Sequence, residues 1–168
     1  MKQEQRQQQL TVMSMELYQS LISDMPIGIM VCNTRGEFIL WNDEATKMFK
    51  SELRSSTKDK WAEDFGVFEL DKTTQYKTED IPMAKALRGE FVENEKLYIK
   101  NNGDKEGIYI KVTSYPLLDL DAKIIAGVVL FEDVTQEQKW YEGIISKLSE
   151  LEEFIRGSIT VNNLKLSL

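Results

Sequence analysis

Residues 123–141 read KIIAGVVLFEDVTQEQKWY, and this stretch decides the fold. It opens as an apolar run, Ile124 to Phe131, with the β-branched character of a strand. Within three residues it turns into a charged, helix-favouring segment. No Gly, Pro or Ser/Asn loop softens the change, and only Asp133, Val134 and Thr135 stand at the joint. Thr135 followed by Gln138 fits a capping box, in which the Thr hydroxyl oxygen accepts one free backbone N–H and the Gln side chain returns to another. Either this cap merely starts a helix well, or the rigid start makes strand movement and helix orientation one coupled variable.

Downstream of the joint the apolar residues fall on a heptad, with Tyr141, Leu148 and Ile155 at one position and Ile144 and Leu151 at the other. This spacing predicts an amphipathic helix over 136–157, stopped at Gly157, that supplies a dimer seam. The remaining stretch, 158–168, alternates like a strand and has no evident place. Upstream, EKLYIK, GIYIKVTSYPLL and KIIAGVVLF form a three-strand antiparallel meander, broken by the turns NNGD and DLDA. Asn102-Gly103 is a strong hairpin signal.

The first half begins with a predicted amphipathic helix over 1–24, in which Leu10, Met13, Leu17 and Leu21 recur at helical spacing. Leu17 and Leu21 extend the expected dimer seam. Pro26 ends this helix, since the residue before a proline is driven from helical geometry. GIMVCNTRGEFILWN follows as a hairpin around Asn33–Gly36. Its first strand is apolar on both faces, so the sheet needs two covers, and the N-terminal helix is the expected second one. Asn42 is placed to cap a short helix, DEATKMF. SELRSSTKDKWAEDF reads as short helical turns and loop, and EDIPMAKALRG as a helix with Pro82 in its first turn. The predicted class is therefore α+β, a five-stranded antiparallel sheet with a helical crossover between strands 2 and 3 and amphipathic helices at both ends.

Composition removes several functions. The net charge of −7 argues against nucleic-acid binding, which needs clustered Lys and Arg. No stretch approaches the roughly 20 apolar residues of a membrane span. The N-terminus is too polar for a signal peptide, and a single cysteine suits the cytoplasm. There is no histidine, which excludes His-ligated haem and His-dependent nucleophile pairs. No set of acids, nucleophiles or phosphate-binding glycines forms a catalytic group, so no enzyme is expected. Asp119 and Asp121 read as turn residues rather than metal ligands, and no metal site is expected.

Three segments in order resemble a PAS sensory domain: MPIGIMVCNTRGEFILWNDEATKMF, KTEDIPMAKALRGEFVENEKLYIKNNGD and YPLLDLDAKIIAGVVLFEDVTQEQ, spanning about residues 20–142. The resemblance implies a sensory domain over 25–135, a signalling helix over 136–157 and a homodimer feeding an output domain C-terminal to this chain, whether kinase, cyclase or regulator. It also implies a relay through Asp133, Thr135 and Gln138, with Asp133 anchoring the joint to the domain body. Light-sensing flavin members carry a cysteine after the second strand. Here the one cysteine, Cys32, lies on the first strand and reads as a small buried hydrophobe.

The cofactor is left open as a small organic ligand or none. Met48, Phe49, Phe65, Phe68, Met83, Leu87, Tyr98, Ile110, Val112 and Val128 are expected between sheet and crossover. There they either line a ligand space or fill a core. Tyr98, Ser114 and Asn42 are the polar groups available to choose a ligand. Trp41 and Trp61 fit the pocket or the exposed sheet face, with a core or interface role favoured because large aromatics contribute heavily to burial. The alternative to a sensor is a ligand-free dimerisation module.

Overall fold

A computed structural model describes residues 2–50 and 56–165, with side chains described at 12–50 and 56–156. The chain forms two units, Met1–Asp133 and Val134–Leu168. In the first, helix α1 (Lys2–Asp24) leads into strands β1 (Gly28–Asn33) and β2 (Phe38–Trp41), then helix α2 (Asp43–Phe49). A 3₁₀ turn at Lys58–Lys60, helix α3 (Trp61–Asp64), strand β3 (Val67–Phe68), a second 3₁₀ turn at Thr78–Asp80 and helix α4 (Pro82–Leu87) complete the crossover. Strands β4 (Val92–Ile99), β5 (Ile108–Leu118) and β6 (Ile124–Asp133) close the sheet. The second unit is one helix, α5 (Thr135–Lys165).

The sheet is antiparallel, in the order β2-β1-β6-β5-β4-β3. The α+β class and the meander follow the sequence, but there is a sixth strand. β3 is two residues long, too short to show any alternation, and lies just after the stretch SELRSSTKDKWAEDF read as short helical turns and loop.

Strand parity sorts the sheet into two faces. Met30 lies opposite Val129 and Cys32 opposite Gly127, while Val112 pairs with Phe131 and Leu97 with Ile110. These residues share the face covered by the crossover and, Gly127 apart, form the core with Phe38, Phe49, Trp61 and Phe65. α4 lies over β5 and β6. Gly127 permits that approach, because a Cβ there would sit 3.0 Å from Met83 Sδ and 3.2 Å from Ala86 Cβ. Gly28 has the same role for an aromatic ring, since its Cβ would fall 2.2 Å from the ring of Phe131.

Two expectations change. α1 does not serve as the sheet's second cover: among its described side chains all are exposed except the half-buried Ile22. Its C-terminal end is tied to the body through the Ile22 carbonyl, which accepts from Asn42 Nδ2. The side chain of Leu10 lies outside the described residues. At the other end α5 runs through Gly157 to Lys165, where an end at Gly157 and an alternating tail were expected. A single glycine costs a helix only about 1 kcal/mol, which flanking helical residues offset. Residues 166–168 lie outside the described residues.

Candidate functional site

The site grows from one buried asparagine and a set of rings. Asn42 is 3 % exposed and uses its whole amide. Its Oδ1 accepts from Ile29 N–H at 2.9 Å and from Ala45 N–H at 3.0 Å, the latter capping α2. Its Nδ2 donates to the carbonyls of Ile22 at 3.0 Å and Ile27 at 2.9 Å. This node fixes where α2 leaves β2 and so directs Met48 and Phe49 into the core.

Phe49 meets Phe131 at 5.3 Å, Trp41 at 5.5 Å and Phe65 at 5.8 Å between centroids. Phe38 meets Phe65 at 5.5 Å edge-on and Trp61 at 5.6 Å. Edge-to-face contacts of this kind are the favourable arrangement for neighbouring rings. The rings occupy most of the space between sheet and crossover, leaving a cavity of about 50 Å³. Ligand pockets for drug-sized molecules run from roughly 300 to 1,000 Å³. A flavin or haem ring system would therefore need the cluster to open, whereas a molecule of a few heavy atoms would not.

Of the residues expected between sheet and crossover, Phe49, Phe65, Met83, Ile110 and Val112 line the cavity. Met48 is buried in the surrounding core and Leu87 packs partly buried against it, but neither borders the cavity. Phe68, Tyr98 and Val128 lie on the opposite face. Phe68 pairs with Tyr98, Tyr98 with Tyr109, and Val128 with Val31 and Tyr115. The Lys72 ammonium sits 5.0 Å from the Tyr109 ring centre and 5.8 Å from that of Tyr98 on this face. The correction has a simple cause: neighbouring strand residues are apolar on both faces, so hydrophobicity cannot choose between Val128 and Val129. Val129, Phe131, Met30, Leu97 and Ile99 occupy the wall instead.

The polar groups also redistribute. Ser114 is fully buried, yet its Oγ donates to the Pro82 carbonyl at 2.8 Å. The Tyr98 hydroxyl accepts from Gly107 N–H at 2.6 Å, and Asn42 is spent as described. Among the described residues the surface that faces the cavity is apolar throughout. Trp61, 1 % exposed, borders the cavity, and its indole Nε1–H is buried without a hydrogen-bond partner among the described residues. Trp41 Nε1 is likewise buried and unpartnered. A buried donor left unsatisfied costs about 1–3 kcal/mol.

Beside the cavity the crossover is clamped to β4. The Tyr76 hydroxyl donates to the Glu95 carboxylate, which also accepts from Lys85 Nζ at 3.4 Å. Burial and then this bond push the Tyr76 phenol well above its ordinary pKa. Cys32, fully buried on β1, is held as a neutral thiol: burial pushes its pKa from 9.0 to about 11. The turn reading of Asp119 holds, with its Oδ1 accepting from Asp121 and Lys123 N–H, each at 2.9 Å.

At the joint, Asp133 ends β6 opposite Ile110 and is exposed. The first backbone bond of α5 runs from Gln138 N–H to the Val134 carbonyl at 2.9 Å. Thr135 is thus the first helical residue, one position further in than a capping box assigns it. The Gln138 side chain donates to Glu142 at 3.4 Å. Along α5, Tyr141, Ile144, Leu148, Leu151 and Ile155 are all exposed, as are Leu17 and Leu21 on α1.

An antiparallel sheet with one face closed by a helical crossover around an apolar cavity defines a small α+β domain. A PAS-domain family model matches residues 26–136, and the chain belongs to that family. Among solved structures, an RNA-binding light-oxygen-voltage receptor is 12 % identical with a TM-score of 0.58, over 84 % of this chain and 39 % of its own. A chain of the Escherichia coli DhaR(N)–DhaL complex is 11 % identical with a TM-score of 0.51, over 78 % and 40 %. The PAS domain of an HTR-like protein from Haloarcula marismortui is 14 % identical with a TM-score of 0.50, over 77 % and 98 %. The chain thus spans about two fifths of the length of the first two solved chains. These likenesses are ones of fold. No curated protein matches the chain.

Proposed function

We propose that this PAS domain is the signal-input module of a larger regulatory protein and works as a cytoplasmic homodimer. A change at the cavity or the sheet reaches a C-terminal output domain through β6 and α5. In this reading the chain does no chemistry itself. Asp133, Thr135 and Gln138 form the relay, because they lie where strand becomes helix with no slack between. The observation that supports this best is the apolar stripe of α5, exposed along the helix and following the last strand after one residue. An isolated helix with such a stripe is incomplete, and a second copy completes it.

A ligand-free dimerisation module is the second reading, favoured by the density of the aromatic core and the smallness of the cavity. Both readings need the dimer. Leu148 is 55 % exposed and Leu151 57 %, so burying each half-exposed side chain in a seam contributes roughly 1 kcal/mol. Two copies bring four such leucines, about 4 kcal/mol, and losing them weakens association about a thousandfold. Sedimentation velocity of wild type and the Leu148→Glu/Leu151→Glu variant tests this. A dimer that becomes monomeric supports the seam, and a variant dimer of unchanged strength refutes it.

A further inference from the structure

The cavity between sheet and crossover is walled by aromatic rings, branched aliphatic side chains and the thioethers of Met30 and Met83, and the surface it presents is apolar throughout. Polar groups of the surrounding core are engaged elsewhere. The Ser114 Oγ donates to the Pro82 carbonyl at 2.8 Å, and the Tyr76 hydroxyl donates to the Glu95 carboxylate. By size alone a space of about 50 Å³ has room for water, since about 10–15 Å³ suffices for one molecule. A buried water needs two to four polar partners, however, and this wall supplies none. Side chains around an empty space forgo dispersion contacts, which an apolar body restores. A molecule with a hydrogen-bonding group gives up that group's bonds to water on entry and finds no replacement.

We propose that the cavity takes a small nonpolar molecule with no hydrogen-bonding group, the chemistry of a short alkene or alkane, and selects it by rejecting polar molecules of the same shape. This rests on the reading of the cavity as the module's ligand space. The volume of about 50 Å³ sets the size at a few heavy atoms. Met30 and Met83, both in the wall, supply the adaptable surface that fits itself to such a body.

The two wall methionines make the test direct, because a chain labelled with ¹³C at the methionine methyls gives one peak for each of its seven methionines. Met30→Leu and Met83→Leu assign the two peaks, and nuclear Overhauser contacts to wall residues in the wild type replace either variant if it does not fold. The probes are xenon, isobutene and acetone, the last two alike in shape and differing by a methylene in place of the carbonyl oxygen. The expected result is a saturable shift of the Met30 and Met83 methyls with xenon and with isobutene. Isobutene reaches half-saturation at a free concentration about tenfold or more below that of acetone, the ratio an unpaired buried acceptor commands. Met13 and Met15, both exposed, stay still. If acetone binds as tightly as isobutene, the selection for a nonpolar ligand is overturned and the ligand space stands. If xenon enters and isobutene does not, the ligand size is overturned and the ligand space again stands. If no probe moves the two methyls, both fall. A linear drift shared with Met13 and Met15 marks solvent perturbation and also overturns the inference.

Discussion

Replacing Asn42 with aspartate changes one amide nitrogen to oxygen and probes the node that joins α1, β1 and α2. The acceptor side is kept, so the bonds from Ile29 and Ala45 N–H persist. On the other side a carboxylate oxygen now faces the carbonyls of Ile22 and Ile27, where Nδ2 stood 3.0 and 2.9 Å away. Two buried hydrogen bonds are lost, each worth about 0.5–1.5 kcal/mol, and two carbonyl oxygens are left against a like partial charge. With burial of the new charge the cost is about 3 kcal/mol at neutral pH, or roughly 10 °C in Tm for a chain of this size.

The pH dependence carries a second signature. Burial and the two carbonyls raise the introduced carboxyl's pKa in the folded state, so its protonated form, which can donate to one carbonyl, is favoured there. The variant's deficit against wild type is therefore smallest below the unfolded value near 3.9 and grows as pH rises through the folded value. Asn42→Ala removes all four bonds, including the cap, and costs more than the aspartate at every pH. Urea denaturation from pH 4 to 8, referenced to wild type at each pH, measures both effects. An aspartate variant within about 0.5 kcal/mol of wild type at pH 7, or a deficit that does not change with pH, would refute the node.

Gly28→Ala drives a methyl group into the Phe131 ring at 2.2 Å. The overpacking should cost about 1–3 kcal/mol and alter the near-ultraviolet dichroism of the aromatic cluster; an unchanged urea midpoint would contradict the packing. Cys32, with a folded pKa of about 11 against an ordinary 9.0, makes the native state hold its proton longer than the unfolded chain. Its contribution is complete below pH 9 and is lost as pH rises toward 11. Wild type should thus lose stability over that window more steeply than Cys32→Ala, and parallel slopes would count against it.

The sequence carries the fold wherever one pattern has one physical outcome. Asn42 was legible as a cap because a short polar side chain before DEATKMF has few other uses, although its bonds to Ile22 and Ile27 depend on chain brought from α1. Pro82 at the start of α4 and the Asp119 turn follow the same logic. The cavity wall was only half legible. In β1 and β6 both parities are apolar, so the facing of Val128 and Val129 is decided by register with β1 and β5, a long-range fact. Trp61 was visible as a large buried aromatic. That its donor would lack an acceptor could not be seen, since this depends on every neighbour at once. The freedom of α1 from the sheet was equally hidden, because an amphipathic pattern states that a face wants cover and not which surface supplies it.

The claim at the centre of this account is that two copies join through α5 and that the end of β6 sets their arrangement. The most direct measurement is the spin–spin distance between copies labelled at Ser146→Cys, an exposed α5 position off the stripe; Cys32, the one native cysteine, is buried and stays unlabelled. Helix axes about 8–10 Å apart, with the two label arms, predict a narrow distribution at roughly 20–30 Å. Asp133→Ala, at the last residue of β6, should shift or broaden it. Absence of any dipolar signal between copies, or a distance that Asp133→Ala leaves unchanged, would contradict the account.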